Sequence, residues 1–155
     1  MIVIADTSPL NYLILIGEIE ILPKLFGKVL VPKAVWKELS ALNSPDAVKD
    51  WIVAKPTWID IHSPTLIDET ISLGSGETEA ISLAHELQAD LVLIDDRKAR
   101  IAAIDRGLNV AGTINILESA ARRGMVDLRI AFADLQKTNF RIAPPLLAEI
   151  LNRSS

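Results

Sequence analysis

The sequence predicts a single α/β domain built on a mainly parallel sheet, and three observations lead there. Short apolar runs alternate with amphipathic stretches along the chain. Half of the 155 residues are hydrophobic, yet only 5% are aromatic. The apolar content is therefore Ile, Leu, Val and Ala, which suits strands covered by helices on both faces. The length supports one core, and no repeat, low-complexity tract or linker divides it, so residues 1–155 are expected to form one domain.

The elements are predicted in order as follows. Ile2-Val3-Ile4-Ala5 is a buried first strand. Ser8-Pro9 supplies an N-cap and a proline at the first helical position, opening a helix to about Leu15 that Gly17 ends. A short helix covers Ile19 to Phe26, and Val29-Leu30-Val31 is the second strand. Pro32 starts a helix from Lys33 to Leu42, with Val35, Leu39 and Leu42 on one face. Ser44-Pro45 caps a further helix to about Val53. Trp58-Ile59-Asp60-Ile61 alternates like an edge strand. After the Gly74-Ser75-Gly76 loop, a helix runs from Glu77 to about Leu87. Leu91 to Ile94 is the clearest buried strand, and the helix from Asp96 to Arg106 is stopped by Gly107. Val110-Ala111 is a short strand, and Thr113 caps a helix to Arg123, ended by Gly124. Helices at about Leu128 to Gln136 and Pro144 to Leu151 complete the order. Right-handed crossovers then bring the carboxyl ends of the strands to one edge, where ligands of open α/β sheets bind.

Composition narrows the chemistry. With no cysteine, disulfides and thiolate metal sites are excluded. Two histidines, His62 and His85, do not make a zinc site, so any metal must be held by oxygen. Asp6 arrives before an apolar segment can form, so no signal peptide is expected. No uninterrupted apolar stretch suggests a membrane span. A cytoplasmic location is expected. Net charge is −4, with pI ≈ 5.2. This argues against a simple nucleic-acid coat protein but not against a nuclease whose acids are gathered in one site.

Asp6 immediately follows one buried strand, and Asp95 and Asp96 immediately follow another. In a parallel sheet these carboxylates meet at the same edge. Carboxylates within about 4–6 Å raise one another's pKa unless a cation intervenes, and Mg²⁺ or Mn²⁺ prefers such hard oxygen ligands. Capping of the following helices is the alternative role. Adjacent residues in extended chain point apart, so Asp96 is favoured as the ligand, with Asp95 supporting it. Glu77 extends the Ala80/Ile81/Ala84 face toward the strand edge, or serves only the helix dipole. Glu79 points elsewhere on a regular helix. Glu38 borders the Val35/Leu39 face and reaches either the same site or solvent. His85 is expected to be structural or exposed. Trp36, Trp51 and Trp58 are expected to pack, with base stacking the alternative. The dense apolar stretch from Leu13 to Leu22 promises more surface than one short helix buries. It predicts a homodimer or a groove for a protein partner.

Taken together, IVIADTSPL, VPKAVWKEL, GSGETEAISLA and LVLIDDRKAR resemble the PIN domain family, from Met1 to about Gly124. The GSGETEAISLAHELQADLVLIDDRKAR block with GTINIL is similar to small prokaryotic PIN proteins with a "GE…DD" signature, which are themselves similar to VapC-type toxins. The resemblance implies a flavodoxin-like three-layer α/β/α sandwich with a short parallel sheet. It also implies a metal-dependent ribonuclease, the toxin of a toxin–antitoxin pair, with RNA as substrate and an antitoxin as partner. Asp6, Glu38, Glu77 and Asp96 match the four acids that bind Mg²⁺ or Mn²⁺, and Thr7 and Ser8 match the hydroxyl position after the first. Two departures stand out. Glu79-Ala80 is an alternative match for the third acid, and Ile94 occupies a position that usually holds threonine, with Asp95 beside it. Arg97, Lys98 and Arg100 would contact phosphates, or are solvated helix charge. A PIN-like module that binds a partner or RNA without cleaving it is the competing function. A receiver-like signalling domain lacks its pattern of acceptor aspartate and downstream lysine.

Overall fold

The computed structural model describes residues 1–41 and 43–153. Leu42, expected at the end of the third helix, lies outside the described residues. The strands are β1 (Val3–Ala5), β2 (Val29–Val31), β3 (Ile59–Ile61), β4 (Leu91–Leu93) and β5 (Val110–Ala111). The helices are α1 (Thr7–Leu15), α2 (Ile21–Phe26), α3 (Lys33–Leu39), α4 (Asp46–Ala54), α5 (Ser75–Leu87), α6 (Arg97–Asp105), α7 (Thr113–Arg122), α8 (Leu128–Gln136) and α9 (Pro144–Arg153).

All strand pairings are parallel, in the order β3-β2-β1-β4-β5. The chain winds outward from β1 through β2 to β3. It then crosses to the other side of β1 for β4 and β5. The switch point therefore lies between β1 and β4, and a crevice opens beyond their carboxyl ends. Asp6 follows β1 and Asp95 follows β4, and the Asp6 N–H donates to the Leu93 carbonyl at 2.9 Å across that boundary.

Side chains alternate between two cores, as the pleat requires. Val3 and Ala5 join Val29, Val31 and Leu93 against Leu10, Leu13, Leu117 and Phe132. Ile4, Val92 and Ile94 face the other way, against Ala80, Ile81, Ala84, Ala99 and Ala103 of α5 and α6. The expected α/β/α sandwich with a short parallel sheet is what the chain adopts. β3 is an edge strand, as its alternation predicts, and β5 forms the other edge.

Several boundaries shift for physical reasons. Thr7 is already helical, so Asp6, not Ser8, occupies the N-cap of α1. Gly112 likewise takes the N-cap of α7 and Thr113 is its first helical residue. α5 opens at Ser75 rather than Glu77, because the first-turn N–H of Gly76 finds a side-chain acceptor in Glu38. Gly107 follows α6 with φ +78°, a left-handed turn that glycine adopts without strain.

The expectation of surplus apolar surface from Leu13 to Leu22 is corrected. Leu13, Ile14, Ile16, Ile19, Ile21 and Leu22 are buried in the chain's own first core, and Leu15 is half-buried against it. α3, α4 and α7 pack against α1 and close this face. The three tryptophans pack in a row at its margin, with ring centroids 5.7 Å apart for Trp36–Trp51 and 5.9 Å for Trp51–Trp58. His85 is exposed. Among the described residues, no helix is long and apolar enough to cross a membrane.

Candidate active site

Asp6 stands at the centre. It is 4% exposed and occupies an N-cap position, yet its side chain makes no capping hydrogen bond. Its Oδ1 is buried with no hydrogen-bond partner. Burial lifts the carboxyl from 3.8 to about 7, the Thr7 backbone N–H opposes the rise, and the charges of Glu77, Glu38 and Asp95 add to it. No basic side chain pairs with this negative charge: none of the ion pairs formed among the described residues involves these acids.

Glu38 is held at both carboxylate oxygens. The Thr7 hydroxyl donates to Oε2 at 2.6 Å and the Gly76 N–H donates to Oε1 at 3.1 Å. A Cβ at position 76 would lie 2.5 Å from Oε1, so only glycine lets α5 approach this closely. Glu77 sits in the first turn of α5 and faces the same space. Its carboxyl is raised by burial, then by the charges of Asp96 and Glu38, against an opposing bond from the Gly74 N–H. Glu79 goes elsewhere: its Oε1 accepts from the Ala34 N–H at 3.3 Å and it lines a neighbouring cleft with Lys33 and Lys37.

The adjacent aspartates diverge as extended chain dictates. Asp95 is saturated. Its Oδ2 accepts from the Ser8 hydroxyl and the Thr113 hydroxyl, both at 2.7 Å, and its Oδ1 accepts from the Thr113 N–H at 2.6 Å. A Cβ at Gly112 would lie 2.8 Å from that Oδ1 and 2.7 Å from Arg100 Nη1. Asp96 is exposed and caps α6, with Oδ2 accepting from the Ala99 N–H at 3.0 Å.

Two clefts meet over Asp6. One of about 420 Å³ is lined by Asp6, Thr7, Ser8 and Glu38 together with Glu77. The other, about 530 Å³, runs past Glu77, Asp95 and Asp96 to Arg97, Arg100 and Arg141. Lys98 is exposed and lines neither cleft. The far wall was not foreseen. Tyr12 donates its hydroxyl to Asn139 Oδ1 at 2.7 Å and meets the Phe140 ring edge-on at 4.9 Å. No local signal marks Asn139, Phe140 or Arg141, because the contact joins residues 127 apart in sequence. Thr113 and the two close-approach glycines were visible only as cap and loop residues.

The acids are grouped but not closed. Among the described residues, no three His, Asp or Glu side chains gather tightly enough to hold a metal ion by themselves. The donor set nonetheless fits a hard cation, being all carboxylate oxygen around one buried, unpartnered Asp6 Oδ1.

A family profile described as PIN domain matches residues 2–155. No curated protein matches the chain. Among solved structures, a PilT N-terminus domain protein from the hyperthermophilic archaeon Sulfolobus solfataricus is similar at 16% identity. The match covers 92% of this chain and 100% of that one, with a TM-score of 0.46.

Proposed function

The chain belongs to the PIN domain family, and from that premise we propose that it is a Mg²⁺- or Mn²⁺-dependent endoribonuclease. PIN domains are generally nucleases that use divalent metals. The finer assignment rests on one observation: Asp6, with a buried and unpartnered carboxylate oxygen, lies among like charges at the sheet's switch point. Uncompensated burial of a carboxylate is costly, and a cation is the compensation that this donor set is built to take.

In this reading Asp6, Glu77 and Asp96 hold the cation, with Glu38 completing the set. When bound, the metal supplies Lewis-acid polarisation of a phosphodiester and neutralises developing charge. The chain's own groups do the rest. Thr7 and the Gly76 N–H fix the Glu38 carboxylate. Ser8 and Thr113 fix Asp95, which holds the β4–α6 turn so that Asp96 projects toward Glu77. Arg97 and Arg100 offer phosphate contacts beside the acids.

RNA cleavage with Mn²⁺, comparing the natural sequence with Asp6→Asn and Asp96→Asn, tests this. Loss of cleavage in both variants is expected, and equal cleavage by all three rejects the site. The competing non-cleaving module is favoured only if the natural protein itself cleaves nothing.

The biological role we propose is that of a cytoplasmic toxin restrained by a cognate antitoxin, with homodimerisation. The resemblance of the GSGETEAISLA and LVLIDDRKAR segments supports it. Ile101 and Ile104, 48% and 55% exposed on α6, offer an apolar surface for such a contact. Growth arrest on overexpression, relieved by a neighbouring gene's product, is the expected result. A strict monomer in concentrated solution by light scattering removes the homodimer.

A further inference from the structure

Residues 62–74, between β3 and α5, form neither helix nor strand, and an irregular connection of that length inside a compact domain is usually functional. Here it is a strap laid along α5. The Thr65 N–H donates to the Glu86 carboxylate at 2.9 Å and the Asp68 N–H to Ser82 Oγ at 2.9 Å, while the Leu73 carbonyl accepts from the Thr78 hydroxyl at 3.3 Å. Thr78, Ser82 and Glu86 recur every four residues, so they make one polar stripe on α5, and the strap runs antiparallel to the helix. At its end the strap becomes Gly74-Ser75-Gly76, the turn whose N–H groups meet the acids. The Gly74 N–H bonds Glu77, and the Gly76 N–H bonds Glu38 at 3.1 Å. A turn with two glycines has little stiffness of its own, so its place depends on how the strap is anchored.

The middle of the strap is tied to a different helix. Arg106 Nε donates to Asp68 Oδ2 at 2.9 Å and Nη2 to Thr70 Oγ1 at 2.8 Å, while Nη1 returns to the Ala102 carbonyl at 2.9 Å. Asp68 Oδ1 is taken by the Thr70 N–H and hydroxyl. These Thr70 bonds and the guanidinium hold the Asp68 carboxyl at about 2, so the ion pair is intact at neutral pH. Arg106 is the C-cap of α6 and Asp96 its N-cap, which sets them about 15 Å apart at 1.5 Å per residue. The buried residues of α6 are Ala99 and Ala103, small side chains that give the helix little apolar hold on the rest of the domain. A bridge from its far end to α5 therefore matters for where it sits.

We propose that Arg106 is a positioning residue: through Asp68 it bridges α6 to the strap on α5, and so fixes the separation of Glu77 and Asp96, which these helices carry at their N-terminal ends. The inference rests on the reading of Glu77 and Asp96 as acids that hold a cation. It adds that an ion pair touching neither cation nor substrate sets how well they grip it, as outer partners of metal ligands do.

Two readouts on the full chain test this: Mn²⁺ affinity by calorimetry, and amide hydrogen exchange at Gly76 in the metal-free protein. Arg106→Met removes the bridge and keeps an apolar stem. Asp68→Asn breaks the ion pair but leaves an oxygen for the Thr70 turn, and serves if the first variant folds poorly. Each should weaken Mn²⁺ binding roughly tenfold and speed exchange at Gly76. The double variant should be no weaker than either single one, because both changes cut the same link. Glu86→Ala frees the strap at Thr65, away from α6, and should leave both readouts unchanged. Mn²⁺ affinity that is unaltered in the single variants, losses that multiply in the double one, or an equal loss in Glu86→Ala overturns the proposal. Failure of the metal reading is distinguishable. If the natural protein binds no Mn²⁺, that reading falls and Gly76 decides the bridge: faster exchange in Arg106→Met and Asp68→Asn alone upholds it, and unchanged exchange overturns it.

Discussion

Asp6→Asn should stabilise the metal-free protein, even though it removes a central side chain of the site. A carboxyl raised from 3.8 to about 7 is disfavoured as an anion, by about 4 kcal/mol at 1.36 kcal/mol per unit. Asparagine keeps the shape and removes the charge, at a cost of about 1–2 kcal/mol for a buried amide imperfectly bonded. The net gain is about 2 kcal/mol, or roughly 4–8 °C in Tm for a domain of this size. The pH dependence fixes the sign. Between about pH 4 and 7 the folded chain keeps a proton on Asp6 that the unfolded chain releases. Stability of the natural protein therefore falls as pH climbs through that window and has lost the full amount above it. The variant's advantage should be complete at pH 8 and nearly gone at pH 5. Thermal unfolding of both proteins in EDTA at the two pH values measures it. An Asp6→Asn protein that melts at or below the natural one at pH 8 refutes the account of Asp6 as an uncompensated buried charge.

Other substitutions separate seating from chemistry. Gly76→Ala puts a Cβ 2.5 Å from the Glu38 carboxylate. That group ends a flexible side chain, so folding should change by less than about 1 kcal/mol while Glu38 is displaced and cleavage falls at least roughly tenfold; a large Tm loss would place the clash elsewhere. Glu79→Ala should cost about 1 kcal/mol by removing the acceptor for the Ala34 N–H, with most activity retained. Glu77→Ala should abolish cleavage without that cost, and kinetics with melting curves on the pair decide between them. Mn²⁺ at about 100 times its dissociation constant should stabilise the natural protein by about 2.7 kcal/mol at pH 8 and should add little to the Asp6→Asn variant by calorimetry.

The sheet was legible because four of its five strands carry unbroken apolar runs, the fifth alternates like an edge, and Gly and Pro punctuate the helices between them. The convergence of Asp6 with Asp95 and Asp96 followed from the same reading, since parallel strands share one carboxyl edge. What the sequence did not expose is how the residues are seated. Ser8 and Thr113 both have the composition of N-caps, and both lie inside their helices, where their hydroxyls reach Asp95 instead. Propensity places a serine or threonine near a helix start, but a carboxylate arriving from another strand decides which partner it takes. The surplus of apolar residues from Leu13 to Leu22 misled for a similar reason. Local counting cannot see that α3, α4 and α7, all later in the chain, pack over α1 and bury them.

The division of labour between Asp95 and Asp96 follows from backbone geometry more than from the identity of either residue. Side chains one apart on extended chain leave opposite faces. One of the two must therefore turn inward toward Ser8 and Thr113, and the other must face the cleft. Three donors satisfy Asp95, so it has no strong need of a cation. Asp96 gives one oxygen to the cap of α6 and stays exposed at the cleft wall. Exchanging their roles would require the β4–α6 turn to slip by one residue. Asp95→Asn tests this directly. The amide can meet at most part of the three-donor pattern, so a stability loss of about 1–3 kcal/mol is expected. Cleavage should fall by a smaller factor than in Asp96→Asn, because the lost group fixes the turn and its oxygens are already taken by Ser8 and Thr113. An Asp95→Asn protein of unaltered Tm that is as inactive as Asp96→Asn would show that Asp95, not Asp96, is the acid facing the cleft.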